Sequence, residues 1–504
     1  MDLQRSSGLL LHPTSLPGPG GCGSLGDWAR RFVDRLAEAE QKWWQILPLN
    51  PPGHGGSPYS ATSAFAGNPV LIDLWGLEKR QWLSADDISK FEADCEKFPA
   101  SQYVIDQVAP ARLDLVRRAA KKWRDDGGED DPGYRAFCET HGAVWLDDFA
   151  FFSALKEEYG GASWQEWPAQ LVRREPVAVE EANRRLSDVM EEIKFAQWQF
   201  FEQWDELRKY AGEKGVQLFG DLPIFVAMDS ADAWANRRWF QLRAEGDPQA
   251  VAGVPPDYFS ETGQRWGNPL YDWDALADDG YQWWVERVEQ VRRTVDIVRV
   301  DHFRGFDEYW RIPAEDETAV NGRWEPGPKD AVFDAIRQAL GEVPFVAEDL
   351  GTITDEVYAL RDRQGLPGMK VLQFAFDGDP DHPFLPHTYP EWCVAYTGTH
   401  DNDTTRGWYE KISDQERHRV RSYFSHPDEG IIGAMIAGLW HSKAVLTIIP
   451  AQDLFGLGSQ ARMNTPGTAE DNWGWRMSAE QLEDNQSFRW LKQLTEQSGR
   501  NSQD

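Results

Sequence analysis

The chain has 504 residues and a formal net charge of −31. That charge repels nucleic-acid phosphates and anionic membrane surfaces, which excludes both as partners; it serves solubility and is compatible with a neutral polymer substrate. Hydrophobic residues make up 41%, enough for the core of a large α/β barrel with insertions.

From the N-terminus, Met1-Asp2-Leu3-Gln4-Arg5 leads straight towards apolar Leu9-Leu10-Leu11, and no signal peptide is expected. No apolar run is long enough to span a bilayer. The four cysteines, Cys22, Cys95, Cys138 and Cys393, are far apart and form no CxxC. Free thiols in a reducing cytoplasm are the simplest expectation. Gly18-Pro19-Gly20-Gly21-Cys22-Gly23 matches the dinucleotide pattern G-x-G-x-x-G ahead of an apparent helix from Asp27. Pro17 and Pro19, however, remove backbone donors that a pyrophosphate would use, so the match is weak.

Short apolar runs read as strands at 44–49, 70–74, 216–220, 295–300, 345–348, 371–376, 394–397 and 445–449. They alternate with helical stretches. Eight such βα units predict an α/β fold, a (β/α)8 TIM barrel spanning 1–504 as a single catalytic domain. The gap between the second and third strands is longer than one crossover helix needs, so 76–200 is read as an inserted helical subdomain. A second insertion covers about 228–290 and is expected to carry substrate loops. The polar tail 495–504 is expected to be disordered. Phosphate-loop and H-E-x-x-H motifs are absent from the sequence. Asp401-Asn402-Asp403 lacks the glycine and distal glutamate of a calcium loop.

The chemistry is concentrated at three strand ends. Val298-Arg299-Val300-Asp301-His302 alternates, so Arg299 and Asp301 share one face. A guanidinium beside a carboxylate favours its ionised form, as a glycosidase nucleophile needs. The same pair could equally hold a loop. Val346-Ala347-Glu348-Asp349 and Thr397-Gly398-Thr399-His400-Asp401-Asn402 end in the same way. Alternation turns Asp349 away from Glu348, which marks Asp349 as structural. Three acid-tipped strands in a row suggest one rim of a parallel barrel.

In this order the segments resemble the amylomaltases, the 4-α-glucanotransferases also called disproportionating enzyme or D-enzyme, of glycoside hydrolase family 77 and the α-amylase clan. The resemblance begins at Gly8-Leu9-Leu10-Leu11-His12-Pro13 and ends near Asn472-Trp473. It includes Ser57-Pro58-Tyr59-Ser60, Gly220-Asp221-Leu222-Pro223 and Gly263-Gln264-Arg265-Trp266-Gly267-Asn268-Pro269. It implies that Asp301 is the nucleophile, Glu348 the general acid/base and Asp401 the third catalytic carboxylate. Arg299, His302 and His400 would surround the reacting sugar, with Asp221 as a supporting or directly contacting group.

Aromatics are 13% of the chain and Trp occurs 25 times, so most of these rings are packing residues, Trp43 and Trp44 among them. The better sugar-stacking candidates sit in Gly- and Pro-rich loops: Tyr59, Tyr258, Phe259 and Trp266. The resemblance places Tyr59 on the donor side and arches the Tyr258–Phe259 loop over the glucan. The implied activity is retaining transfer of α-1,4-glucan segments to the 4-hydroxyl of another glucan or glucose. This chemistry requires no metal and no organic cofactor. A plastid member would carry a Ser- and Arg-rich leader, so a cytoplasmic setting is expected. The runners-up are a hydrolase using the same carboxylates and a non-catalytic glucan-binding protein.

Overall fold

Among the described residues twelve strands organise the chain: β1 (Ser6–Leu10), β2 (Trp43–Gln45), β3 (Gln217–Pro223), β4 (Ala250–Val254), β5 (Gln264–Pro269), β6 (Ile297–Asp301), β7 (Glu308–Pro313), β8 (Arg323–Pro326), β9 (Phe345–Ala347), β10 (Gly368–Val371), β11 (Cys393–Tyr396) and β12 (Leu446–Pro450). The computed structural model describes residues 3–256, 260–426, 430–468 and 470–501. Eight strands form one parallel sheet in the order β10-β11-β12-β1-β2-β3-β6-β9. Sequence neighbours are therefore spatial neighbours all the way round, the expected (β/α)8 barrel.

The seam between β9 and β10 is closed by single contacts. The Ala347 amide donates to Pro367 O at 2.9 Å. Asp349 accepts from the Met369 amide at 2.7 Å and from Arg361 at 2.5 Å. Asp349 thus faces away from the barrel mouth and bolts the seam.

Two features reverse the sequence expectation. The run 70–74 is not a strand, although Val70, Leu71, Ile72 and Leu74 are all buried. Pro69 opens a 3-10 turn, Pro69–Leu71, capped by the Asn68 side chain, and Asp73 caps the next helix, Leu74–Lys79. Arg112 donates to the Val70 and Ile72 carbonyls in place of a neighbouring strand, and glutamines from the long helix Pro176–Glu213 hold the flanking backbone. Gln197 pairs with both N and O of Gly67, and Gln203 accepts from the Asp73 amide at 2.6 Å. The missing eighth barrel strand is β1. Its Ser6-Ser7-Gly8 start is too small and polar to signal a strand, and Gly8 is required there. A Cβ on Gly8 would lie 2.2 Å from Trp43 O of the adjacent strand. The run 371–376 is also shifted, because the strand ends at Val371 and a 3-10 turn, Leu372–Phe374, follows.

Between β2 and β3 the chain is helical, including Ala85–Cys95, Ile105–Asp125, Asp147–Glu158 and Pro176–Glu213. Within 228–290 the chain forms β4 and β5, which join β7 and β8 in a separate antiparallel sheet of order β5-β4-β7-β8. One large buried cluster runs through the barrel interior and its helical coat, with Trp44, Trp204, Trp284 and Trp440 fully buried.

The tail is not disordered through 501. The helix Asn485–Gln497 buries Phe488, Leu491, Leu494 and Thr495, spaced three and four apart. Beyond it, Arg500 is fully buried. It donates to the carbonyls of Trp440, Ser6, Ser442 and Ala444 at 2.7–3.1 Å. One long side chain gives this polar segment an anchor that composition does not reveal. All four cysteines are free. Among the described residues no helix is long and apolar enough to cross a membrane.

Candidate active site

The carboxyl ends of the barrel strands bring the sequence candidates together. Register sets the first group: Asp221 on β3 lies beside Arg299 on β6, which in turn lies beside Val346 on β9. The buried Arg299 donates through Nη1 to both Asp221 oxygens at 2.8 and 2.7 Å, and through Nη2 to Asp301 Oδ1 at 2.8 Å. Burial alone would lower the Arg299 guanidinium; the carboxylates of Asp221 and Asp301 outweigh it and push it well up. A fixed cation therefore faces Asp301.

Glu348 follows β9 directly. Its Oε2 accepts from the His302 amide at 2.8 Å and its Oε1 from the Leu350 amide at 2.9 Å. Burial raises the Glu348 carboxyl from the ordinary 4.5 to about 7, with the Asp301 charge adding to the rise and Arg299 and the two amides opposing it. His302 can aim its amide at Glu348 because it adopts the left-handed conformation, φ 51° and ψ 49°. Its ring meets Trp266 edge-on at 4.9 Å. Burial lowers the His302 imidazole to about 4, so it is neutral near pH 7. Trp266, on β5, is 39% exposed and is open to stack on a ligand.

The second group lies across the mouth. The Tyr59 hydroxyl donates to Asp221 Oδ2 at 2.7 Å, and the Tyr59 ring stacks on His400 with centroids 5.0 Å apart and planes 10° apart. His400 Nε2 lies 3.3 Å from Asp401 Oδ1. Contacts thus run from Asp401 through His400, Tyr59, Asp221 and Arg299 to Asp301. Asp403, beside Asp401, is occupied by Ser459 and Lys411 rather than aimed into the mouth. Tyr258 and Phe259 lie outside the described residues.

Four further residues join the site that the sequence reading did not assign to it. His12 is buried beside His400, and burial first and the His400 charge second lower it to about 3. The Trp473 ring lies 6.0 Å from both Tyr59 and His400. Asn464 Nδ2 donates to Asp401 Oδ1 at 2.6 Å, and Arg462 Nη2 donates to Asp401 O at 2.7 Å. These partners are separated from Asp401 by more than sixty positions, so no local pattern links them.

The arrangement is a pair of carboxyl groups on neighbouring strands, one beside a cation and one raised towards neutrality, with aromatic rings at the mouth. It suits acid-assisted displacement at a sugar carbon. The family model for 4-alpha-glucanotransferase, glycoside hydrolase family 77, matches residues 11–482. The chain is 48% identical over 486 residues to a 4-alpha-glucanotransferase of Thermus thermophilus, covering 95% of each chain. It is 43% identical to a chloroplastic/amyloplastic 4-alpha-glucanotransferase of Solanum tuberosum, covering 96% of this chain and 84% of the other. Its fold matches an amylomaltase from Streptococcus agalactiae in complex with acarbose, with a TM-score of 0.94 and 36% identity over 99% of this chain and 100% of that one. The chain belongs to the 4-α-glucanotransferases of glycoside hydrolase family 77, enzymes that transfer segments of α-1,4-glucan.

Proposed function

We propose that the chain disproportionates maltooligosaccharides by a retaining mechanism on the site described above. Asp301 attacks the anomeric carbon while Glu348 protonates the departing glycosidic oxygen, releasing a shortened glucan and leaving a glycosyl ester on Asp301. Glu348 then takes the proton from the 4-hydroxyl of an incoming glucan or glucose, which attacks the ester and restores the α-1,4 bond. Asp401 and His400 bind hydroxyls of the reacting sugar. Tyr59 and Asp221 line the donor side, and Trp266 and His302 border the scissile bond. Amylose and maltooligosaccharides are the donors, and the cytoplasm is the setting.

The observation that carries this reading is the contrast between the two carboxyls. Glu348 is raised to about 7 and can hold a proton at neutral pH, whereas Asp301 faces the Arg299 cation. A retaining transferase needs that division of labour. Incubation with maltotriose tests it. The expected result is a ladder of longer and shorter glucans. Glucose and maltose alone would indicate hydrolysis, and unchanged maltotriose would indicate binding without turnover.

A further inference from the structure

The reading of Asp401 as a group that meets the reacting sugar leaves open what holds its carboxylate in place, and the structure supplies the holder. Asp401 lies on the loop after β11, not on a barrel strand, and its side chain is 44% exposed. A carboxylate so exposed can rotate unless it is fixed. The segment 462–464, from the loop after β12, lies along it. Asn464 N donates to His400 O at 3.1 Å. Arg462 Nη2 donates to Asp401 O at 2.7 Å, and its Nε to Asn464 O at 2.7 Å. Asn464 Nδ2 donates to Asp401 Oδ1 at 2.6 Å. The amide can present only its NH2 to a carboxylate, since its carbonyl would be repelled. Oδ1 is thereby engaged, and Oδ2 has no protein partner among the described residues.

We propose that Asn464 is a positioning residue: it fixes the Asp401 carboxylate through Oδ1 so that Oδ2 is delivered to the sugar hydroxyls. The loop carrying Asn464 is itself braced. The Trp473 amide donates to Met463 O at 2.7 Å, and the Thr465 amide to Asn472 Oδ1 at 2.8 Å. Trp473 also packs against the Tyr59–His400 stack. Asn464 therefore stands on a closed loop that is tied at both ends to the reaction centre. This proposal rests on the catalytic reading of Asp401.

Two single variants and an Asp401→Asn background test it. Asn464→Ala should lower kcat on maltotriose on the order of 100-fold, the cost of a misplaced reacting group, with KM within about threefold of wild type. Asn464→Asp should behave differently with pH. Two carboxylates this close share one proton at low pH, and the resulting O–H···O bond replaces the amide. Its activity relative to wild type should fall as pH rises, with Arg462 the neighbouring cation and His400 the neighbouring imidazole. A loss that is independent of pH, or wild-type kcat in Asn464→Ala, overturns the proposal.

Asp401→Asn alone tests the underlying reading, which fails if that variant stays active. In the Asp401→Asn background, Asn464→Ala should add less than about threefold if it acts only through Asp401. A full additional loss there would refute positioning while leaving the role of Asp401 intact. Thermal melts of each variant exclude unfolding as the cause.

Discussion

The two sides of the active-site mouth are built differently. Asp221, Arg299, Asp301 and Glu348 sit in, or immediately beyond, adjacent parallel strands, where the sheet register fixes their spacing. Asp401 and His400 sit on a loop and are held by residues more than sixty positions later. The strand side is stiff because moving one group would break a ladder. The loop side depends on a few side-chain hydrogen bonds. A site made this way can keep the bond-making groups invariant while the sugar-holding groups are adjusted by loop contacts.

The largest expected effect is on the strand side. Asp301→Asn retains the shape but not the nucleophilic charge, and should lower the initial rate on maltotriose by about 10⁴-fold or more. Retention of a tenth of the activity would remove Asp301 from that role.

Next is Arg299, whose removal leaves two carboxylates without their cation, the Asp221 side chain fully buried and that of Asp301 28% exposed. Breaking such a buried pair costs about 3–5 kcal/mol. Arg299→Met should therefore lower the melting temperature together with kcat, whereas Asn464→Ala should lower kcat alone. If both variants melted with wild-type behaviour, the proposed difference in stiffness would not hold.

Glu348 gives a pH test. Its acid form is lost as pH rises through about 7, so kcat/KM should decline above that point. Stability should also respond. The folded-state carboxyl lies above its ordinary 4.5, so the folded protein holds the proton over a range where the unfolded chain has released it. Stability from this group is full below about 4.5 and declines as pH rises to about 7. Glu348→Gln should remove that decline, measured as the slope of unfolding free energy against pH. The absolute stability of the variant is a poorer measure, because Gln can accept from only one of the His302 and Leu350 amides. An unchanged slope would mean that Glu348 is not the group titrating near neutrality.

The smallest expected effect lies far from the mouth. Arg500→Ala leaves four carbonyl contacts unmade and should lower the melting temperature by roughly 2–4 °C with kcat unchanged. A change in kcat would show that the two ends of the barrel are coupled.

How much of this was legible in sequence follows the same division. Strand alternation alone put Arg299 and Asp301 on one face and turned Asp349 away from Glu348, because a period of two is a local rule. The barrel was legible from eight βα units, yet one strand was misplaced. Val70, Leu71 and Ile72 have strand-like composition, but their carbonyls accept from Arg112 and from the Leu25 amide, which no local window includes. Ser6-Ser7-Gly8 looks like a loop because its role is close approach to Trp43, a tertiary demand. The antiparallel sheet that carries Trp266 was hidden because β5 buries only Pro269 and so shows no apolar face. Asn464 was silent for the same reason as Gln197, a partner distant in sequence, and Trp473 marked only the end of the resemblance.

The segments that carry Arg5 and Arg500 meet on the side of the barrel opposite the mouth. Arg5 and Arg500 donate to the same carbonyls, those of Trp440, Ser442 and Ala444. The described part of the polypeptide therefore closes on itself between Arg5 and Arg500. A short peptide could join the Arg5 and Arg500 segments and new termini could be opened in a turn such as 127–128, with the order of the eight barrel strands around the ring preserved. The catalytic mouth would not register the change, which makes this scaffold suited to circular permutation and to attachment through its base.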